Sequence, residues 1–133
     1  MPSIHRLHLV RHGETVGAST AYVGDPPLTG RGKQQSELTA EYLSPLGISS
    51  ILVSPLLRAQ QTAAPLAAAV DVVPGNVPDL REIDLGDYPG DGVTGRTRPM
   101  IDFEEWGGDP GAVFSSRVIR QFQDTIEEIR SGD

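Results

Sequence analysis

The sequence predicts an α/β fold with a mostly parallel sheet, and three observations lead there. Short apolar runs alternate with longer stretches of helical period, in the order strand, helix, strand, helix, strand, helix. The apolar content, 38% of the chain, is mostly Leu, Val, Ile and Ala with few aromatics, which suits helices packed on a sheet. The length of 133 residues falls in the common range for one domain, so residues 1–133 are read as a single unit. Parallel strands joined by helices need right-handed crossovers, and ligands then bind beyond the carboxyl ends of the strands.

Residues 7–10 (Leu-His-Leu-Val) form an apolar run that stops at Arg11-His12-Gly13, which reads as a buried strand delivering a loop. Thr29 is placed to cap a helix running to about Leu43, with Leu38, Tyr42 and Leu46 near one face and Pro45 and Gly47 ending it. Residues 50–53 read as a second buried strand. Pro55 then opens a helix carrying Leu56, Ala59, Ala63 and Leu66, which Pro65 should kink or shorten. Asp71-Val72-Val73 reads as a third strand, followed by a Pro74-Gly75-Asn76 loop. Residues 86–111 are rich in Gly, Pro and Asp and read as surface loop. Phe114, Val118, Phe122, Ile126 and Ile129 then mark an amphipathic helix.

Composition removes several function classes. Without cysteine there is no disulfide, thiol nucleophile or cysteine-zinc site. The N-terminus has no signal-peptide pattern and no stretch is apolar enough to span a bilayer, so the expectation is a cytoplasmic protein with no membrane partner. A net charge of −7 without any Lys/Arg run argues against a nucleic-acid partner. Lys33 is the one lysine, so ten of the eleven basic residues are arginine, the side chain best shaped to grip phosphate in a fork.

Three clusters carry chemistry. In the first, His12 follows a strand and precedes Gly13, which would let backbone approach an anion closely. A neutral imidazole can attack phosphorus and split one difficult transfer into two easier ones. His5 and His8 lie where no ligand is expected. In the second cluster, Arg58 sits in the first turn of a helix whose N-terminus attracts anions. With Arg11 it could hold a phosphoryl group from two sides. In the third, Glu82 and Asp84 both have the chemistry to protonate a leaving oxygen. Taken singly, each cluster also reads as an ordinary turn histidine, a solvated arginine or an acidic loop.

Taken together, the clusters have a familiar order. RHGET at residues 11–15, PLTGRG at 27–32, SPLLRAQQTA at 54–63 and LREIDLG at 80–86 resemble the successive motifs of the histidine-phosphatase (phosphoglycerate-mutase-like) superfamily. The resemblance spans residues 7–90. It implies a three-layer α/β/α sandwich and a phosphatase chemistry that needs no metal or other cofactor. By position it makes His12 the phosphate-accepting nucleophile and Arg11 and Arg58 the phosphate clamps. Glu82, at the family's glutamate position, becomes the proton donor. Gly13, Glu14 and Thr15 line the pocket mouth, and the substrate is a small phosphorylated molecule.

The family pocket also holds a second histidine, in a serine-histidine-glycine segment on a late strand. Here no histidine follows His12, and residues 107–115 match the family's usual loop poorly. The resemblance therefore implies a form truncated at the C-terminus, with a phosphate site short of one charge-stabilising donor. Such a loss typically costs about 2.7–4 kcal/mol of transition-state stabilisation. It also implies an open sheet edge at the first strand, which favours self-association. Three functions compete: a metal-independent phosphomonoester hydrolase, a phosphate-binding or interaction domain with little turnover, and a phosphoglycerate-type mutase. Arg96 and Arg98 could meet an acidic substrate group, though exposed loop arginines are the simpler reading.

Overall fold

The computed structural model describes residues 4–17, 25–81 and 111–131, with side chains in the last segment from residue 117 onward. Helix α1 spans Gly30–Leu43, strand β1 Leu52–Val53, helix α2 Leu57–Val70, strand β2 Gly75–Asn76 and helix α3 Gly111–Ser131. The expected class holds: β1 and β2 run parallel in register Leu52 to Gly75 and Val53 to Asn76, and α2 is the crossover between them. Glu82, Asp84, Arg96, Arg98 and residues 86–110 of the expected 86–111 loop lie outside the described residues, and Gly111 is already the first residue of α3.

α1 starts and stops where its sequence says. The Thr29 hydroxyl accepts from the Gly32 amide at 3.0 Å, satisfying one of the helix's first free donors. A 3-10 turn over Ser44–Leu46 follows, with Pro45 inside it, and Gly47 adopts a left-handed φ of 74° that stops the chain from continuing helically. α1 packs against α2 around Ala40, Leu43 and Leu66, with Ile48, Ile51 and Val70 on the margin.

Several expectations need correction. Residues 7–10 form no strand, and Leu9 is 73% exposed. An apolar run has strand propensity, but a strand exists only with a ladder partner, and none of the described residues supplies one. Within β1 only Val53 is buried. The third strand falls at Gly75–Asn76 instead of residues 71–73. α2 continues to Val70, so Asp71 must cap it in a left-handed conformation (φ 54°), and Val73 is left exposed. Pairing begins only where the Gly75 amide donates to the Ile51 carbonyl at 2.8 Å.

Pro65 does not shorten α2. It removes one rung, the bond to the Gln61 carbonyl, and the helix continues because Leu66 is anchored in the core. On α1 the buried stripe is Gly32, Ser36, Ala40 and Leu43, so Leu38 and Tyr42 face outward. The α1 approach to its neighbours is too close for large side chains, and small residues take the inner face.

Candidate active site

The loop after residue 10 is fastened to both helices by the backbone itself. The Gly13 amide donates to Thr62 Oγ1 on α2 at 3.0 Å, and the Glu14 amide donates to Gln35 Oε1 on α1 at 2.8 Å. Thr29 returns a backbone bond to the Glu14 carbonyl at 2.9 Å. Thr15 then bridges antiparallel to Leu28, whose amide is held by Gln61 Oε1 at 2.7 Å. Three helical side chains thus accept from loop amides, the one at Gly13 being buried.

Glycine is required at two facing positions. A Cβ on Gly13 would lie 2.6 Å from the Gly32 carbonyl oxygen, and a Cβ on Gly32 would overlap the Glu14 backbone. The loop and the first turn of α1 therefore touch through bare backbone.

His12 is half-buried on this loop. Its Nδ1 lies 2.7 Å from the Gly13 carbonyl oxygen. A carbonyl can only accept, so Nδ1 must carry the hydrogen, and in the neutral ring the lone pair belongs to Nε2. The imidazole is thus held through Nδ1, with the lone-pair nitrogen on the other side of the ring.

Arg58 is 4% exposed, in the first turn of α2, not a solvated helix arginine. Arg58, Thr62 and Leu66 form the buried stripe of that helix, so the inner face opens polar and ends apolar. Of the residues the sequence suggested for this helix, Leu56, Ala59, Ala63 and Leu66, only Leu66 is in that stripe; the i, i+4 spacing of Arg58 and Thr62 to Leu66 is the signal for the right face. Asp25 closes the helix start, with its two carboxylate oxygens accepting from the Leu57 amide at 2.9 and 3.1 Å. This is an N-cap supplied from 32 residues away, which no local pattern reveals.

The remaining expected site residues are dispersed. Arg11 is exposed and borders a shallow groove between residues 7–10 and Leu38, Thr39, Tyr42 and Leu43, a groove that neither His12 nor Arg58 lines. Glu14 turns its carboxylate to the Thr29 hydroxyl at 2.9 Å, with Arg31 3.9 Å away. Thr15 is 2% exposed, and its hydroxyl has no hydrogen-bond partner. His5 and His8 are exposed. Glu82 falls just past Arg81, whose carbonyl accepts from Arg117 Nη2 of α3 at 2.8 Å, a link the sequence did not suggest. Among the described residues no cluster of three or more His, Asp or Glu is placed to hold a metal ion, and no helix is long and apolar enough to cross a membrane.

The family model of the histidine phosphatase superfamily (branch 1) matches residues 7–131. The chain belongs to that superfamily. Among its relatives, a probable phosphoglycerate mutase GpmB of Enterobacter sp. (strain 638) is 42% identical over 86 residues, 61% of this chain and 39% of that protein. The solved alpha-ribazole phosphatase of Shigella flexneri superposes with a TM-score of 0.69 at 27% identity, covering 90% of this chain and 66% of that one. A native mycobacterial glucosyl-3-phosphoglycerate phosphatase gives 0.54 at 33% identity, covering 59% of this chain and 39% of that one. The chain spans about two fifths of the length of the curated relatives it matches. As in other histidine phosphatases, a parallel sheet is flanked by helices here.

Proposed function

We propose that the protein is a metal-independent phosphomonoester hydrolase acting through a phosphohistidine on His12. The observation that carries this reading is the Nδ1 bond to the Gly13 carbonyl, which leaves Nε2 as the attacking nitrogen. In the first step Nε2 attacks phosphorus, an N–P bond forms and the ester P–O bond breaks. The leaving oxygen takes the proton of the Glu82 carboxyl group. In the second step water attacks the phosphohistidine, its proton passes to the Glu82 carboxylate, the N–P bond breaks and inorganic phosphate leaves. Arg58 neutralises the equatorial oxygens, and its burial raises the value of its charge there. Arg11 serves as the second clamp once substrate draws it inward, and Gly13, Glu14 and Thr15 border the phosphate. Glu82 and Arg11 enter through their motif positions.

The substrate in this reading is a small phosphorylated molecule. The named phosphatases among the solved structures favour hydrolysis, while the GpmB relative keeps a mutase as a second reading. Phosphate binding with little turnover is the third reading.

An aryl phosphate assay in the presence of chelator separates the three. Release of inorganic phosphate that disappears in His12→Ala supports hydrolysis. Return of the phosphoryl group to added phosphoglycerate supports the mutase, and phosphate binding without release supports the third reading. Phosphate release that survives in His12→Ala defeats the proposed nucleophile.

A further inference from the structure

We propose that Thr62 is a positioning residue for the nucleophile, a role that rests on the phosphohistidine reading above. Its hydroxyl joins the loop that bears His12 to the helix turn that bears Arg58. Thr62 Oγ1 donates its one hydrogen to the Arg58 carbonyl at 2.7 Å and accepts the Gly13 N–H at 3.0 Å. Both bonds are buried, so no water substitutes for either. A hydroxyl has one hydrogen, and spending it on Arg58 fixes the direction of the lone pair that meets Gly13.

The consequence lies in the peptide plane between His12 and Gly13. That plane contains the Gly13 N–H, so α2 sets its orientation through Thr62. The Gly13 carbonyl on the other side of the same residue holds the imidazole Nδ1 at 2.7 Å. Gly13 cannot move aside, because the Gly32 carbonyl is packed where a Cβ would be. Backbone and ring of the nucleophile are therefore both referenced to one residue, and that residue is referenced to α2. Displacing a reacting group by a fraction of its contact distance costs rate far more than it costs binding.

The remaining backbone fastenings lack this property. Gln35 holds the Glu14 N–H, which shares a peptide plane with the Gly13 carbonyl, but through a long, flexible side chain and an exposed bond, and Gln61 holds only Leu28. Thr62 is short, β-branched and held in a helix, so its oxygen has little freedom.

The test compares the wild type with Thr62→Val and Thr62→Ser. Valine keeps the shape and removes the oxygen; serine keeps the oxygen and removes a methyl group. Two quantities are read: hydrogen exchange at the Gly13 amide, and the rate of acid-labile phosphorylation of the chain by phosphoramidate. Thr62→Val is expected to speed Gly13 exchange roughly tenfold, leaving the Ala40 and Leu66 amides unchanged, because a buried donor loses its acceptor. Its phosphorylation rate is expected to fall by at least roughly tenfold with little change in the half-saturating phosphoramidate concentration. Thr62→Ser is expected to restore both. Equal behaviour of valine and serine variants, or a Gly13 amide indifferent to valine, overturns the proposal. A wild type that is never phosphorylated defeats the phosphohistidine reading instead, and the Gly13 exchange comparison then decides the positioning claim by itself.

Discussion

At position 32 a methyl group would collide with the Glu14 backbone, whereas at position 30 a Cβ meets nothing within 4 Å. The two glycines open the same helix, so they form a matched pair. Gly32→Ala should destabilise the chain by about 1–3 kcal/mol, the usual cost of overpacking against atoms that cannot rotate away. Gly30→Ala should lie within about 0.5 kcal/mol of wild type. Urea unfolding measures both, and equal midpoints would show that loop and helix are not in backbone contact. The glycine at 32 was visible in the sequence only as part of a motif. Its reason, contact with a loop 18 residues earlier, belongs to tertiary structure. The same holds for His12: the sequence indicated it as the candidate nucleophile, but the Gly13 carbonyl that selects its tautomer belongs to a residue held between Thr62 of α2 and, through the next amide, Gln35 of α1.

At the scale of elements, α2 links both halves of the site. Its start is capped by Asp25, its inner face carries Arg58 and Thr62, and its end is pinned by Asp71 in a left-handed turn. Asp25→Ala should cost about 0.5–2 kcal/mol, the ordinary worth of an N-cap, read from thermal unfolding. Asp25→Asn should recover most of that loss, since its amide oxygen still accepts; no recovery would mean that the Leu57 contact is incidental.

Helices were the legible part of this fold. α1 obeyed its Thr29 cap and its Pro45 and Gly47 stop, and α3 forms where the apolar spacing called for a helix, because those signals are local; its buried position among the described side chains is nevertheless Thr125, while Phe122 and Ile126 are exposed. Strands were less so. Residues 7–10 and 71–73 have strand composition, yet pairing is decided by which neighbour lies alongside, and Gly75–Asn76 pairs despite weak propensity. On α1 the large apolar residues Leu38 and Tyr42 suggest one face, but close packing selects Gly32, Ser36 and Ala40 for the inner one.

At the scale of the molecule, apolar surface outside the core stands out among the described residues. Leu9, Leu38 and Tyr42 are strongly exposed, and all three border the groove between residues 7–10 and α1. Contiguous apolar surface of this kind favours association. Sedimentation velocity should show self-association that rises with concentration. The double variant Leu38→Lys, Tyr42→Glu should weaken it while shifting unfolding stability by no more than about 0.5 kcal/mol per site. Unaltered sedimentation in that variant would remove this groove as the contact.

One nitrogen of His12 decides the proposed chemistry. The Gly13 carbonyl reserves Nδ1 for a hydrogen and leaves Nε2 to meet phosphorus. Phosphorylating the chain with phosphoramidate after labelling its histidines with nitrogen-15, and reading the phosphorus–nitrogen coupling by NMR, identifies which ring nitrogen carries the phosphoryl group. The predicted result is a single phosphorylated histidine, residue 12, substituted at Nε2. Phosphorylation at Nδ1 of His12, or on His5 or His8 instead, would contradict it.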